Sequence, residues 1–335
     1  MKPVIFGVSG HELTSDERAF FKAADPLGYI LFRRNCGTVA QMKALTDSLR
    51  ALSGRADLPI LIDQEGGRVA RMVPPEWPAF PAGAAFDALY DVAPISAIEA
   101  ARANGQALAM MLAEVGVNVN CAPLLDVRQA DVTPAIGDRA FGGDPMRVAA
   151  LGQAMLEGMR RGGVVGVVKH VPGHGRALVD SHYDLPHVKV DAAALESDLE
   201  PFTRLADAPM GMTCHVVFEA WDPELPATLS SEVISEIIRG RIGFDGLLMT
   251  DDIDMKALSG TAGEKASRAL AAGCDVVLDC WARMDEMVEI AGLIGDATPE
   301  CVARLERAMA TIAGTSETGD FDALIAKRDA LLALV

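Results

Sequence analysis

The stretch Val164–His187, VVGVVKHVPGHGRALVDSHYDLPH, joins a short apolar run to a long segment rich in ionisable groups. The run Val164–Lys169 consists of Val and Gly up to its last residue, which is typical of a buried strand in a parallel sheet. No helical pattern follows until about Asp191, although most connections from a strand to a helix are about 2 to 6 residues long. The segment also holds four of the six histidines of the chain. We therefore expect a strand followed by a long functional loop.

Seven further apolar runs of this kind occur along the chain, separated by Ala-rich segments with a helical repeat of apolar residues. The predicted strands are Pro3–Val8, Gly28–Phe32, Leu58–Asp63, Gly116–Pro123, Val164–Lys169, Pro209–His215, Gly246–Thr250 and Cys274–Leu278. The predicted helices are Thr14–Ala24, Thr38–Leu52, Ser96–Glu114, Pro145–Arg161, Ala192–Leu205, Ser230–Arg239 and Gly263–Ala272. Such alternation is typical of βα units around a parallel sheet.

Eight strands with helices between them favour a closed (β/α)8 barrel of the TIM type, an α/β fold that needs about 250 residues. The chain has 335 residues, with neither a Gly-rich dinucleotide motif after its first strand nor a linker segment. We therefore predict one domain over residues 1–335, with additional helices from about residue 285.

The composition limits the partners of the protein. The 47 acidic and 30 basic residues give a net charge of -17, and no Lys/Arg cluster offsets it, so a nucleic-acid partner is not expected. The first residues contain no signal-peptide pattern, and the apolar runs are shorter than the roughly 20 residues that a membrane helix needs. The six cysteines form no CxxC pair, which favours free thiols. We predict a cytoplasmic protein that does not act at a membrane.

Polar side chains follow five consecutive predicted strands at the point where each strand ends. They are Asp63, Arg68 and Arg71 after the third strand, Asp126 and Arg139 after the fourth, Lys169 and His170 at the fifth, His215 at the sixth, and Asp251 and Asp252 at the seventh. In a barrel of parallel strands these ends meet at one face, where active sites lie. The sequence therefore predicts an active site at the carboxyl end of the barrel.

Two pairs of residues are candidates for nucleophilic attack or proton transfer. Asp251 and Asp252 follow an apolar strand, so at least one carboxylate is expected in the barrel mouth, while the other could cap a helix. Asp180 and His182 are two residues apart, and in an extended segment their side chains would lie on the same side, where the carboxylate could orient the imidazole. A purely structural hydrogen bond within a loop would use the same pair.

Other residues of the loop and of the strand ends leave alternatives open. His170, His174 and His182 could bind a metal, although their spacing matches no common zinc pattern. Lys169 and His170 are adjacent, so alternation along the strand predicts that only one of them points into the barrel mouth. Asp63 could pair with a nearby arginine across a turn, or accept hydrogen bonds from the hydroxyl groups of a sugar.

Five ordered motifs carry a resemblance to a known family. They are IDQEGGRVAR at 62–71, GDRAFGGDP at 137–145, KHVPGHG at 169–175, DSHYDLP at 180–186 and GFDGLLMTDDIDM at 243–255. Together they resemble glycoside hydrolase family 3, and within it the bacterial single-domain β-N-acetylglucosaminidases of peptidoglycan recycling. The resemblance extends from about Ile5 to Leu278.

The resemblance implies a role for each matched position. Asp251 would be the nucleophile, His182 the general acid/base, and Asp180 the residue that orients His182. The positions that would bind the sugar ring are Asp63, Arg71, Arg139, Lys169 and His170. No cofactor and no metal is implied. Val171 stands where the family usually has Phe, a departure that concerns the shape of the sugar site.

The implied activity is that of a retaining exo-β-N-acetylglucosaminidase. Its substrate would be a carbohydrate, namely peptidoglycan fragments such as GlcNAc-1,4-anhydroMurNAc-peptides. One alternative is a phosphorylase with the same residues, in which phosphate replaces water; a less favoured one is a metal-dependent barrel hydrolase. A sugar-binding protein without catalysis ranks last, because binding requires neither Asp251 nor the pair of Asp180 and His182.

Overall fold

The computed structural model describes residues 1–129, 134–181, 183–314 and 319–335. Within them, eight parallel strands close into a barrel in which each strand pairs with its neighbours along the chain and the last pairs with the first. The strands are β1 (Lys2–Gly7), β2 (Pro26–Leu31), β3 (Ile60–Ile62), β4 (Val119–Asn120), β5 (Val165–Val171), β6 (Met210–Thr213), β7 (Leu247–Asp252) and β8 (Val276–Asp279). The predicted (β/α)8 barrel is confirmed.

Helices surround the barrel and follow the strands. They are α1 (Ser15–Ala24), α2 (Val39–Ser53), α3 (Gly83–Val92), α4 (Pro94–Glu114), α5 (Pro145–Arg161), α6 (Glu196–Arg204), α7 (Ala262–Ala272), α8 (Met284–Leu293), α9 (Pro299–Ala310) and α10 (Phe321–Leu332), with a π-helix at Val233–Arg241. No helix among the described residues is both long and apolar enough to cross a membrane.

Side chains along β5 alternate between two buried layers. Val165 and Val167 belong to the cluster that fills the barrel, whereas Val164 and Val168 pack in the layer between the strands and the helices. Both layers exclude water, which explains why the strand reads as an uninterrupted apolar run. The barrel is therefore a packed core and not a channel.

Helix α9 closes the amino-terminal end of the barrel. Cys301, Leu305 and Met309 belong to the same buried cluster as the barrel interior. The Cys301 thiol contacts the carbonyl of Asp275, which immediately precedes β8, at 3.3 Å. Because this end is covered by apolar packing, the carboxyl end is the one that opens to solvent.

The strand predictions locate all eight barrel strands but not all of their limits. Within the predicted strand Gly116–Pro123 only β4 is regular strand, because the Ala122 N–H bonds back to the Asn120 carbonyl at 2.8 Å and Pro123 has no N–H to give. The Ala122 and Pro123 carbonyls still accept from Val167 and Lys169 of β5. Helix α3 was not predicted. Its amino end at Ala82 has no side-chain cap, so the usual start signal is missing.

The carboxyl-terminal part of the chain forms α8, α9 and α10, and α8 begins at Met284, close to the predicted residue 285. Helix α10 packs on α4, and Arg328 donates to the Asn104 side chain at 3.2 Å. The assignment of residues 1–335 to a single domain stays a prediction.

Candidate active site

A cleft of about 620 Å³ opens at the carboxyl end of the barrel. A pocket of this size is in the range that binds small organic ligands. It brings together seven of the predicted site residues, which are Asp63, Arg71, Arg139, Lys169, His170, Asp180 and Asp251. The eighth, His182, lies outside the described residues, so its predicted role as acid/base is not tested by the structure.

Asp251 lies near the end of β7 and faces this cleft. Its Oδ1 accepts the Asp252 N–H at 2.8 Å, and its Oδ2 lies 4.0 Å from His170 Nε2. Burial raises the pKa of Asp251, but the nearby His170 and His215 and the Asp252 N–H outweigh it, so the pKa lies below the ordinary value. Asp251 is therefore a carboxylate at neutral pH, and it retains an oxygen that faces the cleft.

Asp252, the next residue, has the opposite electrostatic behaviour. Burial and the adjacent Asp251 raise the pKa of Asp252 to about 6, even though its Oδ1 accepts the N–H groups of Asp254 and Cys280. It caps no helix, because α7 begins after Thr261, whose own side chain is the cap. Of the two adjacent acids, Asp251 is the one whose pKa is lowered by its surroundings.

A network of buried charges forms the floor of the cleft. The Lys169 ammonium lies 3.0 Å from Asp63 and 2.6 Å from Glu65, and Arg139 binds both oxygens of Glu65 at 2.8 and 2.9 Å. Arg71 completes the network by donating to Asp63 at 3.1 Å. Five paired charges in one buried cluster hold these side chains in fixed positions.

The pairing also fixes the charge of each group in the network. Burial lowers the pKa of Lys169, but Glu65 and Asp63 raise it by more, so the pKa lies above the ordinary value. Burial raises the pKa of both Asp63 and Glu65, and their cationic partners lower it further than burial raises it. All three groups are therefore charged at neutral pH.

The tight turn that follows Asp63 and Glu65 depends on glycine. Gly66 and Gly67 have positive φ angles of 105° and 55°. A Cβ on Gly66 would collide with the Pro81 carbonyl. The turn therefore returns the chain to Arg71 within a few residues, which places Arg71 beside Asp63.

His170 is held from behind by Asp126, which is fully buried. Asp126 Oδ2 accepts the Nδ1–H of His170 at 2.7 Å, and Oδ1 accepts the backbone N–H of His170 at 3.2 Å and of His174 at 2.6 Å. Burial raises the pKa of Asp126, but His170 and these hydrogen bonds lower it below the ordinary value. With Nδ1 occupied by the carboxylate, Nε2 of His170 is turned toward Asp251.

Lys169 and His170 both line the cleft, so the prediction that only one of them would point there is wrong. The register of β5 against β6 shifts between Lys169 and Val171, and alternation fails where the register is irregular. Two consecutive residues thus serve the same cavity.

The loop after β5 is fixed by contacts on both sides of His182. His174 Nε2 lies 3.3 Å from the Ser181 hydroxyl, and burial together with His170 lowers the pKa of His174 to about 4, so its ring is neutral. The Asp180 carbonyl accepts from the N–H groups of Tyr183 and Asp184. The chain therefore turns after Asp180, which lines the cleft, and the pairing of Asp180 with His182 stays a prediction because His182 lies outside the described residues.

Glu65 lines the cleft and Asp126 holds His170, and the sequence analysis assigned a role to neither. Both occur within or beside strand-end motifs, which was the available signal, but their partners lie 74 and 44 residues away along the chain. His215, at the end of the sixth predicted strand, contacts the Asp252 carbonyl at 3.0 Å and the Thr228 hydroxyl at 2.7 Å. It therefore contacts the backbone at the end of β7.

No group of three or more potential metal ligands is assembled within the described residues. Of the histidines considered as ligands, His170 is bonded to Asp126 and His174 to Ser181, while His182 is not described. The prediction of a site without metal stays a prediction.

The site combines an ionised carboxylate at a strand end with a cleft whose floor consists of paired charges. This combination is typical of barrel enzymes that attack a polar substrate through a carboxylate, a class that includes the retaining glycosidases. The family profile described as the glycosyl hydrolase family 3 N terminal domain matches residues 10–314. The chain belongs to glycosyl hydrolase family 3.

Relatives of known name share most of their length with this chain. A β-hexosaminidase of Chromobacterium violaceum is 40% identical over 337 residues, covering 98% of this chain and 91% of the relative. A β-hexosaminidase of Alkalilimnicola ehrlichii is 41% identical over 283 residues, covering 83% and 80%. The crystal structure of NagZ from Neisseria gonorrhoeae in complex with N-trifluoroacetyl-D-glucosamine has a TM-score of 0.88 and 32% identity, covering 99% of this chain and 98% of NagZ.

Proposed function

We propose that the protein is a retaining exo-β-N-acetylglucosaminidase that removes terminal N-acetylglucosamine from peptidoglycan fragments such as GlcNAc-1,4-anhydroMurNAc-peptides. The observation that carries the proposal is Asp251, an ionised carboxylate at the end of β7 that faces the cleft beside His170. The names of the relatives and the glucosamine derivative bound by NagZ support N-acetylglucosamine as the sugar.

In the first step Asp251 attacks the anomeric carbon. The bond from that carbon to the leaving oxygen breaks, and His182 gives a proton to this oxygen, so that a covalent glycosyl-enzyme forms. In the second step His182 takes a proton from water, the water oxygen bonds to the anomeric carbon, and Asp251 is released as a carboxylate. Two inversions give net retention, and Asp180 keeps the imidazole oriented in both steps.

The charged floor binds the sugar ring. Lys169 has three N–H donors and gives two to Asp63 and Glu65, so a third is available to a hydroxyl group. Asp63 and Arg71 offer an acceptor and donors beside it, while Arg139 acts chiefly by holding Glu65. His170 Nε2 lies 4.0 Å from Asp251 Oδ2. Because these groups are already ordered by their own pairing, little side-chain entropy is lost when the sugar binds.

The test is to trap the intermediate with a ring-fluorinated N-acetylglucosaminide and to map the labelled peptide by mass spectrometry. We expect one sugar per chain on Asp251, because fluorine slows hydrolysis of the glycosyl-enzyme. Asp251→Asn should remain unlabelled, whereas Asp252→Asn, a change at the adjacent acid, should still label. A label on another residue, or none with an intact wild-type protein, contradicts the proposal.

The same preparations distinguish the alternatives. Release of N-acetylglucosamine that is unchanged by millimolar phosphate identifies a hydrolase, whereas formation of N-acetylglucosamine 1-phosphate identifies a phosphorylase. Activity that persists after exhaustive chelation excludes the metal-dependent hydrolase.

The proposal includes action in the cytoplasm. All six cysteines are free and five of them are buried. A chain with six thiols and no disulfide is typical of a reducing compartment.

A further inference from the structure

A tryptophan stands exposed at the edge of the active-site cleft. Trp281 follows β8 by two residues and lines the same cleft as Asp251, yet 56% of it is accessible to solvent. A large aromatic side chain left in water forgoes the burial that would otherwise stabilise the fold. An exposed aromatic at the edge of the cleft is therefore available to contact a ligand bound there.

The backbone on both sides of Trp281 is firmly held. The Arg34 guanidinium donates to the carbonyl groups of Val8 and Cys280, and the Cys280 N–H donates to Asp252 at 3.3 Å. On the other side, the Arg283 guanidinium pairs with Asp254 of the β7 loop. The segment that carries the exposed ring is thus attached to the carboxyl end of β1 and to β7 with its following loop.

The conformation after Trp281 is also an unfavourable one. Ala282 has a φ of 56°, in the left-handed region that a residue with a Cβ rarely adopts. Such a conformation costs on the order of 1 kcal/mol and is kept where the surrounding structure enforces it, often beside a functional site. A solvent-exposed side chain on an enforced backbone is preorganised for contact with something outside the chain.

Burial changes steeply from the floor of the cleft to its edge. The side chains of Lys169, Glu65 and Asp63 are only 3%, 8% and 16% exposed, whereas Trp281 and Tyr183 at the edge are 56% and 74% exposed. A sugar bound on the charged floor would therefore direct its leaving group outward, toward the edge that carries the two aromatic rings.

We propose that Trp281 is the platform of the leaving-group subsite, where its indole face packs against the C–H face of the pyranose ring that is released. The inference rests on the proposed function and deepens it by assigning the residue that recognises the ring of the leaving group. Aromatic faces pack well against flat apolar surfaces, and the C–H face of a pyranose is such a surface. A leaving group without a ring gains nothing from Trp281.

The experiment compares two substrates of the wild type and of Trp281→Ala. One is chitobiose, which releases a sugar ring; the other is 2,2,2-trifluoroethyl β-N-acetylglucosaminide, which releases a small acyclic alcohol. We expect kcat/KM for chitobiose to fall about tenfold, the usual scale for truncating a contact tryptophan, and kcat/KM for the trifluoroethyl glycoside to stay within about twofold. Trp281→Phe keeps a ring and should retain most of the chitobiose activity.

Two outcomes would overturn the inference: equal losses on both substrates, or no loss on chitobiose. If Trp281→Ala does not fold, Trp281→Leu keeps the bulk without the aromatic face and should show the same selective loss. Ile95→Ala truncates a side chain that is 80% exposed and lies outside the cleft lining, so it should leave kcat/KM unchanged for both substrates. Failure of the proposed function is distinguishable, because the wild type would then hydrolyse neither glycoside.

Discussion

The pKa values of two adjacent carboxyl groups at the end of β7 are shifted in opposite directions. Asp251 has charged and polar neighbours that favour its anion, whereas the pKa of Asp252 is raised to about 6 by burial and by Asp251 itself. The sequence predicts that one of two acids is catalytic, and the resemblance selects the first. The pKa of Asp251 is lowered by His170 of β5 and by His215, which follows β6. The local sequence around Asp251 does not reveal that these two side chains lie nearby.

Asp126 leads to a prediction at the same scale. Asp126→Asn removes the anionic acceptor of the His170 ring, so the ring loses its fixed orientation beside Asp251. We expect kcat/KM for an aryl N-acetylglucosaminide to fall about 10 to 100-fold, as for other residues that orient a functional histidine. The pH profile of kcat/KM should also change, since the imidazole would no longer have a carboxylate partner.

A buried acid at the opposite end of the barrel provides the control for this change. Asp275 pairs with Arg239 and Arg304 before β8, so Asp275→Asn should lower the melting temperature without altering KM. If folded Asp126→Asn keeps wild-type kcat/KM and the wild-type pH profile, Asp126 does not position His170 for catalysis.

At the scale of elements, the long loop after β5 is anchored at several points. Arg176 pairs with Asp198 of α6 at 2.6 Å, and the Ala257 N–H donates to the Ser181 carbonyl at 3.3 Å. Farther along, the short strand His187–Val188 pairs with Val217–Phe218 outside the barrel. The segment that carries His182 is therefore attached to α6, to the β7 loop and to the β6 loop.

His182 leads to the prediction that belongs to this element. His182→Ala should lower kcat/KM by several orders of magnitude for a glycoside with a poor leaving group, which needs its proton, and far less for a dinitrophenyl glycoside, which does not. The measurement is kcat/KM for both substrates. The control is His187→Ala, at an exposed histidine of the same segment, which should leave kcat/KM unchanged for both substrates. Equal losses on both substrates would contradict the acid/base role.

The sequence predicts elements better than it predicts their contacts. The βα alternation identifies all eight barrel strands because each is a buried apolar run, while α3 was missed because it lacks a cap signal. Strand ends indicate where the site lies, since parallel strands bring them to one face. The partners of Glu65 and Asp126 could not be inferred, because those pairs form only when strands far apart in sequence come together in the barrel.

At the scale of the whole molecule, the ends of β7 and β8 place several acids together, with a consequence for stability. Asp279 is 1% exposed, its Oδ2 has no hydrogen-bond partner among the described residues, and burial together with Asp252 raises the pKa of Asp279 to about 7. In the unfolded chain an aspartate has a pKa of about 4. The folded protein therefore holds a proton that the unfolded chain releases, so this group destabilises the fold progressively as the pH rises from about 4 to about 7.

The prediction that follows is a pH-dependent gain in stability. Asp279→Asn removes the ionisation, so it should match the wild type near pH 4 and exceed it above about pH 7 by on the order of 2 kcal/mol in the free energy of unfolding. Urea unfolding at both pH values measures this difference. Asp285→Asn, at an exposed acid of α8, should show none, and an advantage of Asp279→Asn that does not depend on pH would contradict the argument.

The charged floor also restricts how this protein can change over evolutionary time. Lys169 forms ion pairs with both Asp63 and Glu65, and Glu65 also pairs with Arg139. Losing any one of them removes a counterion from at least one buried charge, and breaking a buried pair commonly costs about 3 to 5 kcal/mol, a large part of the stability of a typical domain. A single replacement at one of these positions therefore destabilises the protein until a second replacement restores the charge balance. We expect positions 63, 65, 139 and 169 to change together or not at all among related proteins.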